Sequence, residues 1–145
     1  MPESWRRLGA EAAGCTDFWV STGGTVSPLH YDGTHTFLAQ VKGRKRMLLW
    51  PAEAIGAFSP YPLGHPLYRR SRVDIQVPEW ATEEEHLAEQ RRQFPAFFAQ
   101  AADEAEEALL GPGDAVFFPA FWFHHTESLD LSFSVGFRYF SVRAA

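Results

Sequence analysis

The sequence predicts a mainly β protein, a jelly-roll barrel with one helical insertion. Seven or eight short stretches of β-forming residues alternate with glycine and proline turn signals, and no internal repeat is visible. Between the fourth and fifth stretches, at about residues 51–105, a proline-rich loop and helical signals replace this pattern. The 145 residues, 46% of them hydrophobic, suffice for one sizeable core, so we expect a single domain over residues 1–145.

Four strands are predicted in the first part of the chain, after a polar or weakly helical lead-in over residues 1–15. Gly43 lies between the last two, and the Lys42–Arg44 segment predicts a tight hairpin that joins them. The predicted strands are Asp17–Thr22, Thr25–Asp32, Thr36–Lys42 and Lys45–Trp50.

The insertion contains two predicted helices. Thr82–Glu85 has the pattern of a capping box, which predicts a helix that runs to about Gln93. A second short helix is expected from Pro95 to about Ala105. Glu106–Leu110 alternates over too few residues to separate a continued helix from a strand.

The remaining strands follow a strong turn signal at Gly111–Asp114, which the side chain of Asp114 is expected to close. Ala115–Phe118 and Phe121–Glu127 read as strands separated at Pro119. A long alternating strand is predicted at Leu131–Phe140.

A histidine and an aspartate, His30 and Asp32, lie two residues apart in the second predicted strand. Side chains at i and i+2 of a strand share a face, so these two can converge while Tyr31 points away. They supply two of the three ligands of a 2-His-1-carboxylate triad for non-haem Fe(II), and His124 is the best candidate for the third. Such a pair also occurs by chance on surface strands, so the assignment of a metal site depends on the surrounding motifs.

Composition narrows the possible partners. The net charge is −5 and the basic residues form only short clusters, which makes nucleic acid an unlikely partner. The chain has no apolar run long enough to span a membrane and no secretory leader pattern, so we expect no membrane partner. Cys15 is the only cysteine, which excludes an internal disulfide and favours a reducing, cytoplasmic location. The sequence predicts no particular oligomeric state.

Several motifs occur in an order that resembles a known group. His30–Asp32, Phe37–Arg46, Gly111–Asp114 and Phe118–His125 follow one another as in the JmjC and cupin-8 group of Fe(II)/2-oxoglutarate oxygenases. Within that group the likeness is greatest to asparaginyl hydroxylases that act on hypoxia-inducible factor, and it covers roughly residues 17–140. The resemblance implies a double-stranded β-helix with the iron at one open end, and Fe(II), 2-oxoglutarate and O2 as cofactor and cosubstrates.

The resemblance also implies ligand roles. His30, Asp32 and His124 match the three iron ligands of the group. On chemistry alone either His124 or His125 could be the second histidine, and the pattern Pro-x-x-Trp-x-His of the group favours His124. His125 is then expected on the outer face of the strand, under the insertion, hydrogen-bonded to a neighbour such as Glu127.

Cosubstrate contacts are implied for three further residues. Lys45 matches the residue that pairs with the distal carboxylate of 2-oxoglutarate, while Ser27 and Thr36 match positions that offer it hydrogen bonds. Lys45 shares its strand face with Met47 and Leu49, the expected interior face, where a cation needs an anionic partner. The alternatives are a solvated hairpin lysine and two ordinary strand residues.

Gly136 departs from the resembled hydroxylases, which carry an asparagine there, and the missing amide is expected to leave room for a water or another cosubstrate pose. An aromatic interior is expected to shield the site, from five phenylalanines: Phe37, Phe117, Phe118, Phe133 and Phe137.

The resemblance implies a dioxygenase that hydroxylates a protein or peptide side chain or a small molecule, with release of succinate and CO2. Two other classes remain open. One is a non-catalytic JmjC-like binding module, against which the intact His30, Asp32, His124 and Lys45 argue. The other is a cupin metalloenzyme that does not use 2-oxoglutarate, which would leave Lys45 without a purpose.

Overall fold

The computed structural model describes residues 14–140, so most of the predicted lead-in, residues 1–13, lies outside the described residues, as do residues 141–145. Within this range the chain forms eight strands, a 3-10 helix at Ala52–Phe58 and two α-helices, α1 at Glu83–Gln93 and α2 at Pro95–Gln100. The strands are β1 Cys15–Ser21, β2 Val26–Tyr31, β3 His35–Lys42, β4 Lys45–Trp50, β5 Glu106–Leu110, β6 Ala115–Phe118, β7 Phe123–Ser128 and β8 Ser132–Tyr139.

The strands form two four-stranded sheets, in which all neighbours are antiparallel. The first sheet has the order β1-β8-β3-β6, and the second has the order β2-β7-β4-β5. Most neighbours in a sheet are distant in sequence, because the chain repeatedly crosses from one sheet to the other, as in a jelly roll. The predicted fold class is therefore confirmed, with the helical insertion between β4 and β5.

The predicted hairpin between β3 and β4 is wrong. β3 pairs with β6 and β8, whereas β4 pairs with β5 and β7 in the other sheet. Gly43 has a φ of +70°, and a Cβ there would lie 2.3 Å from the carbonyl oxygen of Leu131. The backbone N–H of Arg44 donates to the Asp130 carboxylate at 2.6 Å. The bend is therefore packed against the β7–β8 connection, which sends the two strands into opposite sheets.

The insertion follows its sequence signals closely at the start of α1. The Thr82 hydroxyl accepts the N–H of Glu85, and the Glu85 carboxylate accepts the N–H of Thr82, so the predicted capping box is present. α2 ends at Gln100, earlier than predicted, because Ala101 leaves helical geometry and its carbonyl accepts a 2.8 Å bond from the Trp50 indole. The ambiguous segment Glu106–Leu110 is a strand, β5.

The insertion covers the outer face of the second sheet. Trp50 and Phe123 point outward from β4 and β7 and pack against Phe58 of the 3-10 helix and Phe97 of α2. The Phe58 and Phe123 rings stack with their centroids 4.2 Å apart. This layer forms one of the two apolar clusters, and no helix of residues 14–140 is long and apolar enough to cross a membrane.

The outer face of the first sheet is largely exposed, which corrects the expected aromatic interior. Phe37, Phe117 and Phe137 point outward and are 43%, 44% and 38% exposed, while Phe133 stacks with Phe18 on the same face. Only Phe118 of the five faces the interior, where it is 4% exposed. Strand alternation decides this, because it places polar residues inward: Thr36, Gln40, Ser132 and Ser134.

Candidate metal centre

The structure brings together the three side chains that the sequence proposes as metal ligands. β2 pairs with β7 so that His30 lies directly opposite His124, and their ring centroids are 4.1 Å apart. Asp32 follows the last residue of β2 and remains on the same side. One potential ligand atom from each of the three lies within 4.8 Å of the others. Ligands of a facial triad lie about 90° apart at the metal, so at metal–ligand distances of about 2.1 Å they would be roughly 3 Å from one another, and side-chain rotation would have to close the difference.

The local backbone explains why these side chains point inward. Tyr31, between the two ligand candidates, turns to the opposite face and packs edge-on against Phe123 at 5.3 Å. The carbonyl of Asp32 accepts the backbone N–H of Phe121 at 2.7 Å, which holds the end of β2 against the segment that precedes β7. The predicted i, i+2 geometry of His30 and Asp32 therefore holds, although Asp32 lies just beyond the strand.

Both histidines are held by the same kind of hydrogen bond. The Nδ1 of His30 lies 2.8 Å from the carbonyl oxygen of Pro28, and the Nδ1 of His124 lies 3.1 Å from that of Trp122. A carbonyl oxygen can only accept, so each Nδ1 donates and each neutral ring keeps a bare lone pair on Nε2. The Nε2 of His124 lies 4.0 Å from a carboxylate oxygen of Asp32. Such bonds orient histidine rings for metal binding.

Burial keeps both rings in the form that binds metal. Desolvation, reinforced by the neighbouring His30, lowers the pKa of His124 to about 3. Desolvation also lowers the pKa of His30, against the opposing effects of its bond to Pro28 and the charge of Asp32. Both imidazoles are therefore neutral near pH 7. Two neutral imidazoles and one carboxylate fit the donor set of a facial triad for Fe(II).

Two arginines contact the Asp32 carboxylate. Arg138 of β8 lies 3.3 Å from one oxygen, and Arg69 of the insertion lies 3.4 Å from the other. Arg138 also pairs with Asp17 at 2.8 Å and lies over the ring of Trp19 at 5.7 Å. These contacts orient a carboxylate that is 6% exposed.

A pocket adjoins the three proposed metal ligands. It is lined by all six residues that the sequence analysis proposed for the site: Ser27, His30, Asp32, Thr36, Lys45 and His124. Lys45 points inward beside Met47, is 6% exposed, and has its pKa lowered by desolvation. Among residues 14–140 no carboxylate forms an ion pair with it. Thr36 is 3% exposed and its Oγ1 has no hydrogen-bond partner, while Ser27 is half-buried on the pocket wall. The pocket thus contains a buried cation and an unpaired buried hydroxyl.

His125 lies on the other side of the second sheet. It lines a separate cavity under the insertion, together with Trp50, Phe97 and Phe98. This position agrees with the expected outer face, but the expected hydrogen bond to Glu127 is not formed, and the buried Nδ1 of His125 has no partner. The opposite directions of adjacent strand residues keep His125 away from the His30–Asp32 pair.

Three side chains border the space beside Gly136, where the sequence predicted room for a water. A Cβ at Gly136 would make ordinary van der Waals contacts with the Trp19 indole nitrogen at 3.4 Å, Leu38 at 3.8 Å and Asp17 at 3.9 Å. Gly136 therefore lies next to Trp19, which lines the pocket.

Sequence reasoning missed Arg138, Arg69 and Trp19 at the site. Arg138 had a usable signal, because it continues the inward alternation of Ser132, Ser134 and Gly136 along β8. Arg69 had none, since it lies in a loop whose path depends on tertiary contacts.

Fold and cluster together define a jelly-roll domain with a His–Asp–His cluster in a pocket that residues of both sheets line. The cupin-like domain family matches residues 4–142, nearly the whole chain. The chain belongs to this family. A solved cupin superfamily protein from Desulfitobacterium hafniense shows a TM-score of 0.48 at 7% identity, over 88% of this chain and 68% of that one.

Several curated proteins are similar in sequence. The chain is 36% identical over 119 residues to lysine-specific demethylase 8 of Xenopus tropicalis, and 31% identical over 130 residues to lysine-specific demethylase JMJ31 of Arabidopsis thaliana. It is also 33% identical over 123 residues to tRNA wybutosine-synthesizing protein 5 of Danio rerio. The three matches cover 82%, 90% and 85% of this chain but only 24%, 22% and 31% of those proteins. These names do not support the narrower likeness to asparaginyl hydroxylases.

Proposed function

We propose that residues 1–145 form a single Fe(II)- and 2-oxoglutarate-dependent dioxygenase domain that hydroxylates a protein side chain or a small molecule. One observation carries the proposal: two neutral histidines and a carboxylate converge in a pocket that also holds a buried lysine with no ion-pair partner in residues 14–140. Family membership and the similarity to the two lysine-specific demethylases support it. The single cysteine agrees with a cytoplasmic location.

His30, Asp32 and His124 would hold the iron through two Nε2 atoms and one carboxylate oxygen. When bound with 2-oxoglutarate and O2, iron supplies oxidative chemistry that inserts one oxygen atom into a C–H bond, while the other oxygen atom enters succinate and CO2 leaves. The protein contributes ligand orientation through the bonds to Pro28 and Trp122.

Lys45 would bind the distal carboxylate of 2-oxoglutarate. An ammonium that is 6% exposed and without an ion-pair partner among the described residues is costly unless an anion joins it. The hydroxyl of Thr36, buried and unpaired, would donate to the same cosubstrate, and Ser27 lies on the same wall. The pocket therefore has a cationic, hydrogen-bonding end for a dicarboxylate beside its metal end.

The test is succinate formation in the presence of Fe(II), 2-oxoglutarate and a panel of candidate peptides and metabolites. We expect succinate to require both the metal and 2-oxoglutarate, and to be lost in Asp32→Ala but retained in Asp103→Ala, which removes an exposed carboxylate from the insertion. Substrate conversion with metal but without 2-oxoglutarate would instead indicate another kind of cupin metalloenzyme. Failure to bind metal at all would indicate a binding module.

A further inference from the structure

We propose that the mouth of the metal pocket selects an acidic peptide segment, through a cluster of three arginines. This inference names the substrate class of the proposed oxygenase and rests on that proposed function. The arginine cluster consists of Arg69 and Arg70 from the insertion and Arg138 from β8.

All three arginines lie close to the proposed metal ligands. Arg69 and Arg138 contact the two oxygens of Asp32 at 3.4 and 3.3 Å. Arg70 forms a β-bridge with His30. The arginines therefore converge from two separate parts of the chain on one side of the centre.

The carboxylates at this position do not balance the cations. Asp17 and Asp32 are the two that pair with the arginine cluster, and Asp32 is also the proposed metal ligand. A bound divalent metal takes up the charge of Asp32, and Lys45 is matched by the cosubstrate. Arg69, with a side chain 47% exposed, and the exposed Arg70 then remain available to an incoming group.

Arginine geometry favours a carboxylate as that group. The planar guanidinium offers two parallel N–H donors that match the two oxygens of a carboxylate. Arg138 is held in place by Asp17 at 2.8 Å and by the Trp19 ring, so little side-chain entropy is lost when it binds. A cationic peptide would place like charges together at these arginines, which is unfavourable.

The charge distribution favours an acidic peptide over RNA. Nucleic-acid binding proteins carry basic residues along an extended surface that follows the phosphates. Here Arg69, Arg70 and Arg138 form a compact group beside the metal pocket, and the chain has a net charge of −5. Such a surface admits a short acidic segment, while a longer polyanion would meet repulsion beyond the mouth.

The experiment measures binding directly, by fluorescence anisotropy, on protein loaded with Fe(II) and 2-oxoglutarate under argon. The probes are two labelled peptides of equal length, with glutamates or lysines at the same positions, and a short single-stranded RNA. We expect the glutamate peptide to bind at least about tenfold more tightly than the lysine peptide, and more weakly as salt increases. Equal or tighter binding of the lysine peptide or the RNA would overturn the proposal.

Two variants locate the effect. Arg70→Glu should weaken binding of the glutamate peptide by about tenfold and strengthen binding of the lysine peptide, because it reverses a charge at the pocket mouth. Arg92→Glu makes the same change on α1, which contributes no residue to the pocket, and should alter neither affinity. Unchanged affinity for the glutamate peptide in Arg70→Glu would contradict the assignment.

The readouts separate this inference from the proposed function. If the glutamate peptide binds preferentially but the protein forms no succinate with Fe(II), 2-oxoglutarate and any candidate substrate, the oxygenase proposal fails and the pocket mouth is only a binding site. If succinate forms with Fe(II) and 2-oxoglutarate but the peptides bind equally, the inference fails alone.

Discussion

The interior of the barrel and the layer beneath the insertion are both buried but differ in chemistry. Polar side chains are concentrated in the interior: Asp32, Thr36, Gln40, Lys45, His124, Ser128, Ser132 and Ser134 are all buried. The layer beneath the insertion is instead aromatic, with Trp50, Phe58, Phe97 and Phe123 in mutual contact. The two regions are separated by a single sheet.

This difference shows how the molecule divides its tasks. Burying polar groups costs free energy unless they are hydrogen-bonded, and some in the interior are paired, as in the Ser134–Gln40–Ser132 chain at 2.7 and 2.8 Å. Lys45 and Thr36 lack such partners among the described residues. We infer that the aromatic layer supplies stability that offsets the cost of a polar site.

The largest effect is expected from two adjacent residues of β7 that face the two regions. His124→Ala should abolish stoichiometric iron binding and succinate formation, because it removes a proposed ligand from the interior. His125→Ala should keep both, with a loss of at most roughly 1–2 kcal/mol in stability. Elemental analysis of the purified variants measures the metal. Loss of iron in His125→Ala but not in His124→Ala would show that His125, and not His124, is the metal ligand.

A large stability effect is expected in the aromatic layer. Phe58→Ala should lower the free energy of unfolding by about 3–5 kcal/mol, because the ring is fully buried and stacks on Phe123. Urea unfolding followed by circular dichroism measures this loss. Phe117→Ala, on the exposed face of the first sheet, is the control and should cost less than about 1 kcal/mol. Equal losses would mean that the insertion contributes no special stability.

Acid should destabilise the metal-free protein through the interior histidines. The folded-state pKa of His124 is about 3, below its ordinary value of 6.5, so the unfolded chain binds more protons between these values. The stabilising contribution is therefore complete above about pH 6.5 and is lost as the pH falls towards 3. Between pH 7 and 4.5 we expect a loss of about 2–3 kcal/mol in urea unfolding. His124→Gln should show a smaller loss; an equal loss would refute the assignment.

The smallest effect on stability is expected at Lys45, and it should be favourable. Lys45→Met should raise the free energy of unfolding by about 1 kcal/mol, since it removes a buried, unpaired charge. The same change should weaken 2-oxoglutarate binding by about 1.5–3 kcal/mol in calorimetric titration while iron remains bound. Lys42→Met, at an exposed position, should change neither quantity. Unaltered 2-oxoglutarate affinity in Lys45→Met would exclude the anchoring role.

Local patterns identified much of the fold. The capping box at Thr82, the turn closed by Asp114 and the strand positions depend on neighbours within a few residues, so the sequence alone predicts them. The sheet to which β3 and β4 belong was not predictable in this way. It depends on the contact of Gly43 with Leu131, which is far along the chain.

For the candidate site, the sequence by itself determined the residue types and the common face of His30 and Asp32, because strand alternation is a local property. Tertiary structure decided the rest. The β2–β7 register brings His124 opposite His30, and the path of the insertion brings Arg69 to the Asp32 carboxylate and Arg70 into a bridge with His30. Tertiary structure also decided which outer face of the barrel is covered. Strand alternation gives each sheet two faces, and only packing selects the outer face of the second sheet as the one that the insertion buries.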